Sequence, residues 1–312
     1  MKPLVSIIIP CRNEEGYIGN CLWSLDNQDY PNIELIVVDG MSDDNTINEI
    51  ASLHIKAKTY FNPHKTMPHA VNKGIQHAKG DLIMICGAHS TYPADYVRKC
   101  VETSIKTGAD NVGGDIATPE DNQFTIAINS KFGVGKNRNT DSKALEEADT
   151  VFGGCYRREV FDKIGLFNTD LTHTQDLEFN YRLRQAGGKI ICNHDIISFW
   201  HPKPQTWKAF AKKAFTDGQW VILPVLYCRT PITLRHLVPL AFVLGLPLSI
   251  WPYMVCNLIS SRKYVMPWYL MSLAFFTLHM FYGAGSVWAC LKVLKEWTKR
   301  ALSRAMLPGV AY

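Results

Sequence analysis

The stretch Gln175-Asp-Leu-Glu-Phe-Asn-Tyr-Arg-Leu-Arg holds the residues best suited to chemistry. It follows the Gly-rich segment Thr150-Val-Phe-Gly-Gly-Cys-Tyr-Arg-Arg-Glu-Val-Phe. Asp176 falls in the first turn of a predicted helix. There the helix dipole and the free N–H groups favour an ionised carboxylate. Such a group accepts a proton from an incoming hydroxyl. Asp176 and Asn180 are spaced i,i+4, as are Glu178 and Arg182, so each pair shares a helix face. A plain capped helix with one ion pair explains the same residues, so the rest of the chain must decide.

Other acids fall at strand ends. Glu14 and Glu15 follow the first predicted strand, Asp39 ends the second and Asp81 starts the fourth. A carboxylate placed there accepts from a ribose hydroxyl or a base N–H. A turn and a helix cap account equally for Asp39-Gly40 with Ser42, Asp44 and Thr46. The chain has neither GxGxxG nor GxxxxGK[ST], so a nucleotide would be held by side chains and a metal.

These residues need a scaffold. Val5-Ser-Ile-Ile-Ile, Ile33-Glu-Leu-Ile-Val-Val-Asp, Ile55–Phe61 and Asp81-Leu-Ile-Met-Ile-Cys read as buried strands. Helices alternate with them over about 13–27, 42–53, 67–78 and 93–107. That order implies an α/β, doubly wound sheet. Ligands then bind beyond the carboxyl ends of its strands. Residues 109–155 read as less regular loops and strands. Two helices are expected within 157–188, a strand at 189–198 and a basic, aromatic amphipathic helix at 207–220.

The 312 residues are 47% hydrophobic with net charge +5, but the apolar residues are unevenly spread. Between 237 and 291 the only Asp, Glu, Lys or Arg are Arg262 and Lys263. Segments 237–256 and 265–291 are each long enough to cross a hydrocarbon core of about 30 Å, with Pro239, Pro247 and Pro252 kinking the first. The tail (Lys292, Lys295, Lys299, Arg300, Arg304) outweighs the linker in positive charge, which places tail and catalytic domain in the cytoplasm. This charge pattern suits an anionic membrane surface better than nucleic acid. Nine scattered cysteines without a CxxC read as free thiols of a reducing compartment, and no signal peptide is apparent at Met1.

Val5-Ser-Ile-Ile-Ile-Pro-Cys-Arg-Asn-Glu-Glu, Val37-Val-Asp-Gly-Met-Ser-Asp-Asp-Asn-Thr and the two blocks around 150–184 resemble family 2 inverting glycosyltransferases. Leu278-His-Met-Phe-Tyr-Gly-Ala-Gly is similar to the membrane tail of the succinoglycan-type exopolysaccharide subgroup. The resemblance implies a GT-A fold over residues 1–230, Rossmann-like and mostly parallel, with a membrane-associated helical region over 231–312. It implies a nucleotide-sugar donor, a lipid-linked or saccharide acceptor, and a bacterial-type plasma membrane location. Pro10, Arg12, Glu14, Asp39, Asp81, Gly87 and Ala88 would line the donor, and Asp176 would be the catalytic base. Arg157, Gln175, Lys212, Lys213 and Trp220 would lie on the acceptor and diphosphate side. Asp217-Gly218-Gln219-Trp220 stands where processive members carry Gln-x-x-Arg-Trp, which argues against a processive synthase.

One departure concerns the metal. The family's Asp-x-Asp, or Asp-x-His in this subgroup, falls at Gly87-Ala88-His89, so the first acid is missing. His89 is then the expected ligand for Mn²⁺ or Mg²⁺, with His194 or His201 as further candidates, or the site works without metal. Two rival readings are transfer to a polyprenyl phosphate and a catalytically silent nucleotide-binding subunit. An ionised phosphate acceptor needs no base, so Asp176 favours a hydroxyl acceptor.

Overall fold

The computed structural model describes residues 2–118, 122–133, 144–203, 206–228 and 234–305. The chain forms two compact units. The first spans Met1–Glu120 and Arg138–Pro202, the second Asp121–Asn137 and Lys203–Tyr312.

The first unit opens with β1 (Val5–Cys11), α1 (Ile18–Asp26), β2 (Ile33–Asp39), α2 (Thr46–Ser52), β3 (Ala57–Phe61), α3 (Met67–His77) and β4 (Leu82–Ile85). Next come β5 (Ser90–Thr91), α4 (Tyr96–Thr107) and β6 (Asn111–Ala117). In the second unit lies α5 (Gln123–Asn129). The first unit resumes with β7 (Leu145–Glu147), β8 (Phe152–Arg157), α6 (Arg158–Ile164), α7 (Gln175–Gln185) and β9 (Ile190–Trp200).

These strands form one sheet in the order β3-β2-β1-β4-β8-β6-β9-β5, with β7 on β9. It is parallel across β3, β2, β1 and β4. Around β8 it turns antiparallel. Residues 5, 7 and 9 of β1 pack against α1 and α4, while Ile8, Ile36 and Val38 pack against α3 and α7. Both faces are therefore covered, which is why these strands are near-continuous apolar runs.

The region expected to be irregular, 109–155, contains β6, β7, β8 and α5. Its strands are hard to read because β6 is Asn-Val-Gly-Gly-Asp-Ile-Ala. The glycines are there for close approach: a Cβ on Gly114 would stand 2.0 Å from the Ile196 carbonyl, and one on Gly113 2.5 Å from that of Phe152.

The second unit is helical, with α5, α8 (Trp207–Ile222), α9 (Leu234–Leu244), α10 (Leu246–Ser261) and α11 (Trp268–Ala305). The expected amphipathic helix is α8, and it packs along α11. Gly218 and Gly285 let the two backbones touch, since a Cβ on either would meet the other helix's carbonyl near 2 Å (2.0 Å to Tyr282, 2.1 Å to Phe215). Ser286 Oγ donates to the Gly218 carbonyl at 3.0 Å, a small-residue contact of the kind that joins membrane helices.

The first expected span, 237–256, is broken at Gly245 into α9 and α10. Among the described residues only Trp268–Arg300 is long and apolar enough to cross a membrane, and half of its most apolar window is buried against the protein. The first expected span is thus two shorter helices in sequence. The side chain of Arg304 lies outside the described residues.

Candidate functional site

Register places the site. Cys11 pairs with Asp39 and Asp39 with Phe61, so the carboxyl ends of β1, β2 and β3 form one edge. The Cys86 N–H donates to the Ile8 carbonyl at 2.9 Å, which leads Gly87-Ala88-His89 onto the same edge. Backbone strain collects there. Asn13, Met41 and Lys65 follow the first three strands and have φ of 56°, 58° and 61°. Thr174, with φ of 56°, opens α7. Such left-handed non-glycine residues cost about 1–3 kcal/mol each and cluster at functional edges.

Asp39 is buried and its carboxylate accepts from Ser42, through Oγ and through the backbone N–H at 2.9 Å. The Cys11 thiol approaches the same carboxylate. Burial and the neighbouring Asp39 push that thiol far above its ordinary range, so it stays neutral. The Glu14 N–H donates to Thr46 Oγ1 at 2.7 Å, and Asn13 exchanges hydrogen bonds with Ser42 and Asp43. These contacts tie the loop after β1 to the loop after β2. Pro10 and Arg12 stand at its start, with Arg12 exposed.

Oε1 of Glu14 lies 3.4 Å from Nδ1 of His89. Gly87 donates its N–H to the Tyr92 hydroxyl at 2.8 Å. Ala88 is buried beneath them. His201 donates its N–H to the His89 carbonyl at 2.9 Å, and its Nε2 meets Thr91 Oγ1 at 2.9 Å. His201 therefore flanks His89 through the β5–β9 pairing. His194 sits seven residues earlier on β9, against Asp115 and Glu146.

At the other side of this edge stands α7. Phe179 anchors it, fully buried and stacked on Phe167 at 4.2 Å. Asn72 on α3 clamps Phe167 with two backbone hydrogen bonds, at 2.8 and 2.9 Å. Arg182 bonds Glu178 and the carbonyls of Ile164 and Leu166, which fixes the approach to the helix. Gln175 Nε2 reaches Met67 Sδ at 3.0 Å, so the first turns of α3 and α7 adjoin. Gln175 Oε1 is buried with no hydrogen-bond partner.

Asp176 is open to solvent on one side and hemmed in by protein on the others. That loss of water raises its carboxyl above the ordinary range, while N–H groups of the first turn pull the other way. Behind it, Asn180 Oδ1 accepts from Tyr156 and Asn111, and Asn180 Nδ2 donates to Thr150. The Asn180 side chain serves this buried network, which props the helix from below.

Two expected site residues lie elsewhere. Asp81 precedes β4 and accepts the Leu4 N–H at 2.9 Å, at the amino end of the parallel strands. Arg157 pairs with Leu82 at that same end and donates to the carbonyls of Ala109 and Ser104. Both close the wrong edge of the sheet for a ligand. The resemblance set Asp81 among the donor residues, but as the start of its strand it falls at the amino edge. Lys212, Lys213 and Trp220 belong to α8 in the second unit. Lys213 pairs with Asp217 at 2.8 Å. Trp220 packs near Ile222 and Leu223.

The left-handed residues, Ser42, Tyr92 and the Met67–Gln175 contact were not legible as site features. Only the Asn13 type, which tolerates positive φ, gave any signal.

Glycosyl transferase family 2 matches residues 6–165 of the chain. A glucuronosyltransferase of Methanococcus voltae, named for action on dolichyl N-acetyl-α-D-glucosaminyl phosphate, is 32% identical over 69% of this chain and 71% of its own. Succinoglycan biosynthesis protein ExoA of Rhizobium meliloti is 28% identical over 75% of this chain and 74% of its own. Among solved structures, a mannosyltransferase of Pyrobaculum calidifontis in complex with GDP-Man and Mn²⁺ aligns with TM-score 0.65 at 19% identity, over 93% of this chain and 88% of that one. S. aureus TarS residues 1–349 in complex with UDP-GlcNAc aligns at TM-score 0.55 and 14% identity, over 91% and 90%. Fold, site edge and sequence agree: the chain has the GT-A fold and is a glycosyltransferase belonging to glycosyl transferase family 2.

Proposed function

We propose that this glycosyltransferase is membrane-associated and inverting, and moves a hexose from a UDP-sugar to a hydroxyl of a lipid-linked saccharide. The observation that carries the reading is Asp176. It is a carboxylate with a raised pKa, set in the first turn of α7 beside the first turn of α3. Asp176 takes the proton of the acceptor hydroxyl. The acceptor oxygen bonds to the anomeric carbon as the bond to the diphosphate breaks on the opposite face, so the configuration inverts. General-base help of this kind is worth roughly 10²–10⁴-fold.

Asp39 and the loop from Pro10 to Glu14 receive the nucleoside at the carboxyl ends of β1 and β2. Glu14 and His89 suit a divalent ion such as Mn²⁺, one oxygen and one imidazole nitrogen 3.4 Å apart. When bound, that ion neutralises the diphosphate of the leaving nucleotide. Gly87 offers it nothing, so diphosphate oxygens complete its shell. His201 is a second imidazole within reach of the same loop.

The acceptor class follows the Methanococcus relative, whose name specifies a dolichyl-linked sugar. Membrane association is supported by exposed Trp251, Trp268, Tyr269, Trp288 and Trp297 on α10 and α11. Amphipathic aromatic rings of this kind sit at membrane interfaces. Lys292, Lys295 and Lys299 flank Trp297 on the last turns of α11, at the end assigned to the cytoplasmic side.

The test uses detergent-purified full-length protein, a panel of nucleotide sugars, and a lipid-linked saccharide acceptor. Asp176→Asn is expected to lose transfer by at least about 10²-fold while still binding UDP. Transfer that persists in this variant refutes the base assignment. Retained anomeric configuration in the product refutes inversion.

A further inference from the structure

Away from the donor edge, β9 carries a cluster that transfer does not use. Between Cys192 and Ile197 the strand bulges, while its partner β6 passes only from Gly113 to Asp115. His194 projects from this bulge. Its Nδ1 lies 3.2 Å from Asp115 Oδ2 on β6. Its Nε2 lies 3.5 Å from Glu146 Oε1 on β7, buried but too poorly placed for a hydrogen bond. The Asp115 carboxylate, the Cys192 thiol and the His194 imidazole offer donor atoms that all fall within 4.8 Å of one another. Register brings them together: Glu146 pairs with Cys192, and the His194 N–H bonds the Ala144 carbonyl at 2.9 Å.

We infer that Asp115, Cys192 and His194 form a structural site for a zinc-like divalent ion, separate from His89. The donor set is oxygen, sulfur and nitrogen, which suits a borderline-soft ion and not Mg²⁺. Ligands at about 2.0–2.1 Å in tetrahedral array stand about 3.4 Å apart. The 3.2 Å between Asp115 Oδ2 and His194 Nδ1 meets that spacing. Nδ1 faces the ion, so Nε2 carries the proton, and a small turn of the Glu146 side chain, now 3.5 Å away, would let it accept. That is the carboxylate–histidine–metal arrangement that orients a ligating imidazole. The ion binds as Cys192 gives up its thiol proton to solvent, and a water takes the fourth position. Its role is to hold the β9 bulge to β6 and β7. The same strand then runs on to Trp200 and His201 at the donor edge.

The probe is Co²⁺, titrated into metal-free full-length protein and followed by absorption. The expected result is one equivalent bound, with an intense thiolate-to-cobalt charge-transfer band. Cys192→Ser removes the band, and His194→Ala or the isosteric Asp115→Asn weakens binding at least about 10-fold. Glu146→Gln keeps the band and weakens binding about 10–100-fold. His89→Ala leaves the band and its affinity unchanged. A wild-type protein without a thiolate band overturns the site, as does a band that survives Cys192→Ser. If Cys192→Ser fails to fold, Asp115→Asn decides, because undiminished Co²⁺ affinity in that variant is equally fatal.

Discussion

Glu14 and His89 face each other across the ends of β1 and β4, with Oε1 of one 3.4 Å from Nδ1 of the other. The pair joins the loop proposed to receive the nucleoside to the loop expected to hold the metal. Glu14→Gln is therefore expected to weaken Mn²⁺ binding, in the presence of UDP, by about 10-fold or more. Titration followed by Mn²⁺ electron paramagnetic resonance measures this, and unchanged affinity removes Glu14 from the ligand set.

Gly87→Asp is expected to act in the opposite direction. A Cβ there meets nothing closer than Ser90 Oγ at 3.4 Å, and Gly87 has no positive φ to forbid a side chain. Ser90 Oγ is buried with no hydrogen-bond partner, so it gains an acceptor in the new carboxylate. The same titration should show tighter Mn²⁺ binding at unchanged thermal stability. A loss of stability means that the loop has no room for the acid.

Asp176 has a second signature, in stability against pH. Its folded pKa lies above the unfolded one because the protein around this partly exposed carboxylate displaces water that would solvate the charged form. Between those two values the folded protein binds more protons, so this group's contribution falls as pH rises. At neutral pH the ionised Asp176 opposes folding, and below the unfolded pKa that penalty vanishes. Asp176→Asn should raise the melting temperature at pH 7 and lose the advantage toward pH 4. A variant equally or less stable at pH 7 contradicts the raised pKa.

Asn180→Leu probes the prop beneath Asp176. It strands the buried Tyr156 hydroxyl and Asn111 amide and takes a donor from the half-buried Thr150 hydroxyl. Each stranded buried group costs about 1–3 kcal/mol. Denaturant unfolding should show a loss in the upper part of that range. kcat should fall more than Mn²⁺ affinity, which is the mark of a tilted α7.

Gly218→Ala and Gly285→Ala test the helix contact in the second unit. Each new methyl would stand near 2 Å from a carbonyl of the facing helix (2.0 Å and 2.1 Å), so the helices must separate. Overpacking of this kind costs about 1–3 kcal/mol. Thermal unfolding in detergent checks it, and a stability unchanged by either methyl means that α8 and α11 do not pack this closely.

The parallel half of the sheet was legible from residues 1–107 because β1, β2 and β4 are apolar on both faces and the helices between them repeat regularly. Asp176 and its helix were legible from the i,i+4 pattern, and Glu178–Arg182 pairs as that spacing requires. The bounds and pairing of the strands in 109–155 were not legible because β6 is built of glycine and polar residues, and a glycine chosen for close approach gives no periodic signal. Asp81 shows a related blindness. The sequence alone marks an acid beside a strand, but chain direction within the sheet decides which edge it occupies. Length and lack of charge likewise foresaw the apolar mass of 237–291, while the break at Gly245 was set by backbone geometry. The His194 cluster lies furthest from reach. Its donors come from two strands and lie up to 79 residues apart, joined only by register and a bulge. Local pattern determines elements because its forces act between near neighbours in the chain. The meeting of distant side chains belongs to tertiary structure, because only strand order and register bring their strands together.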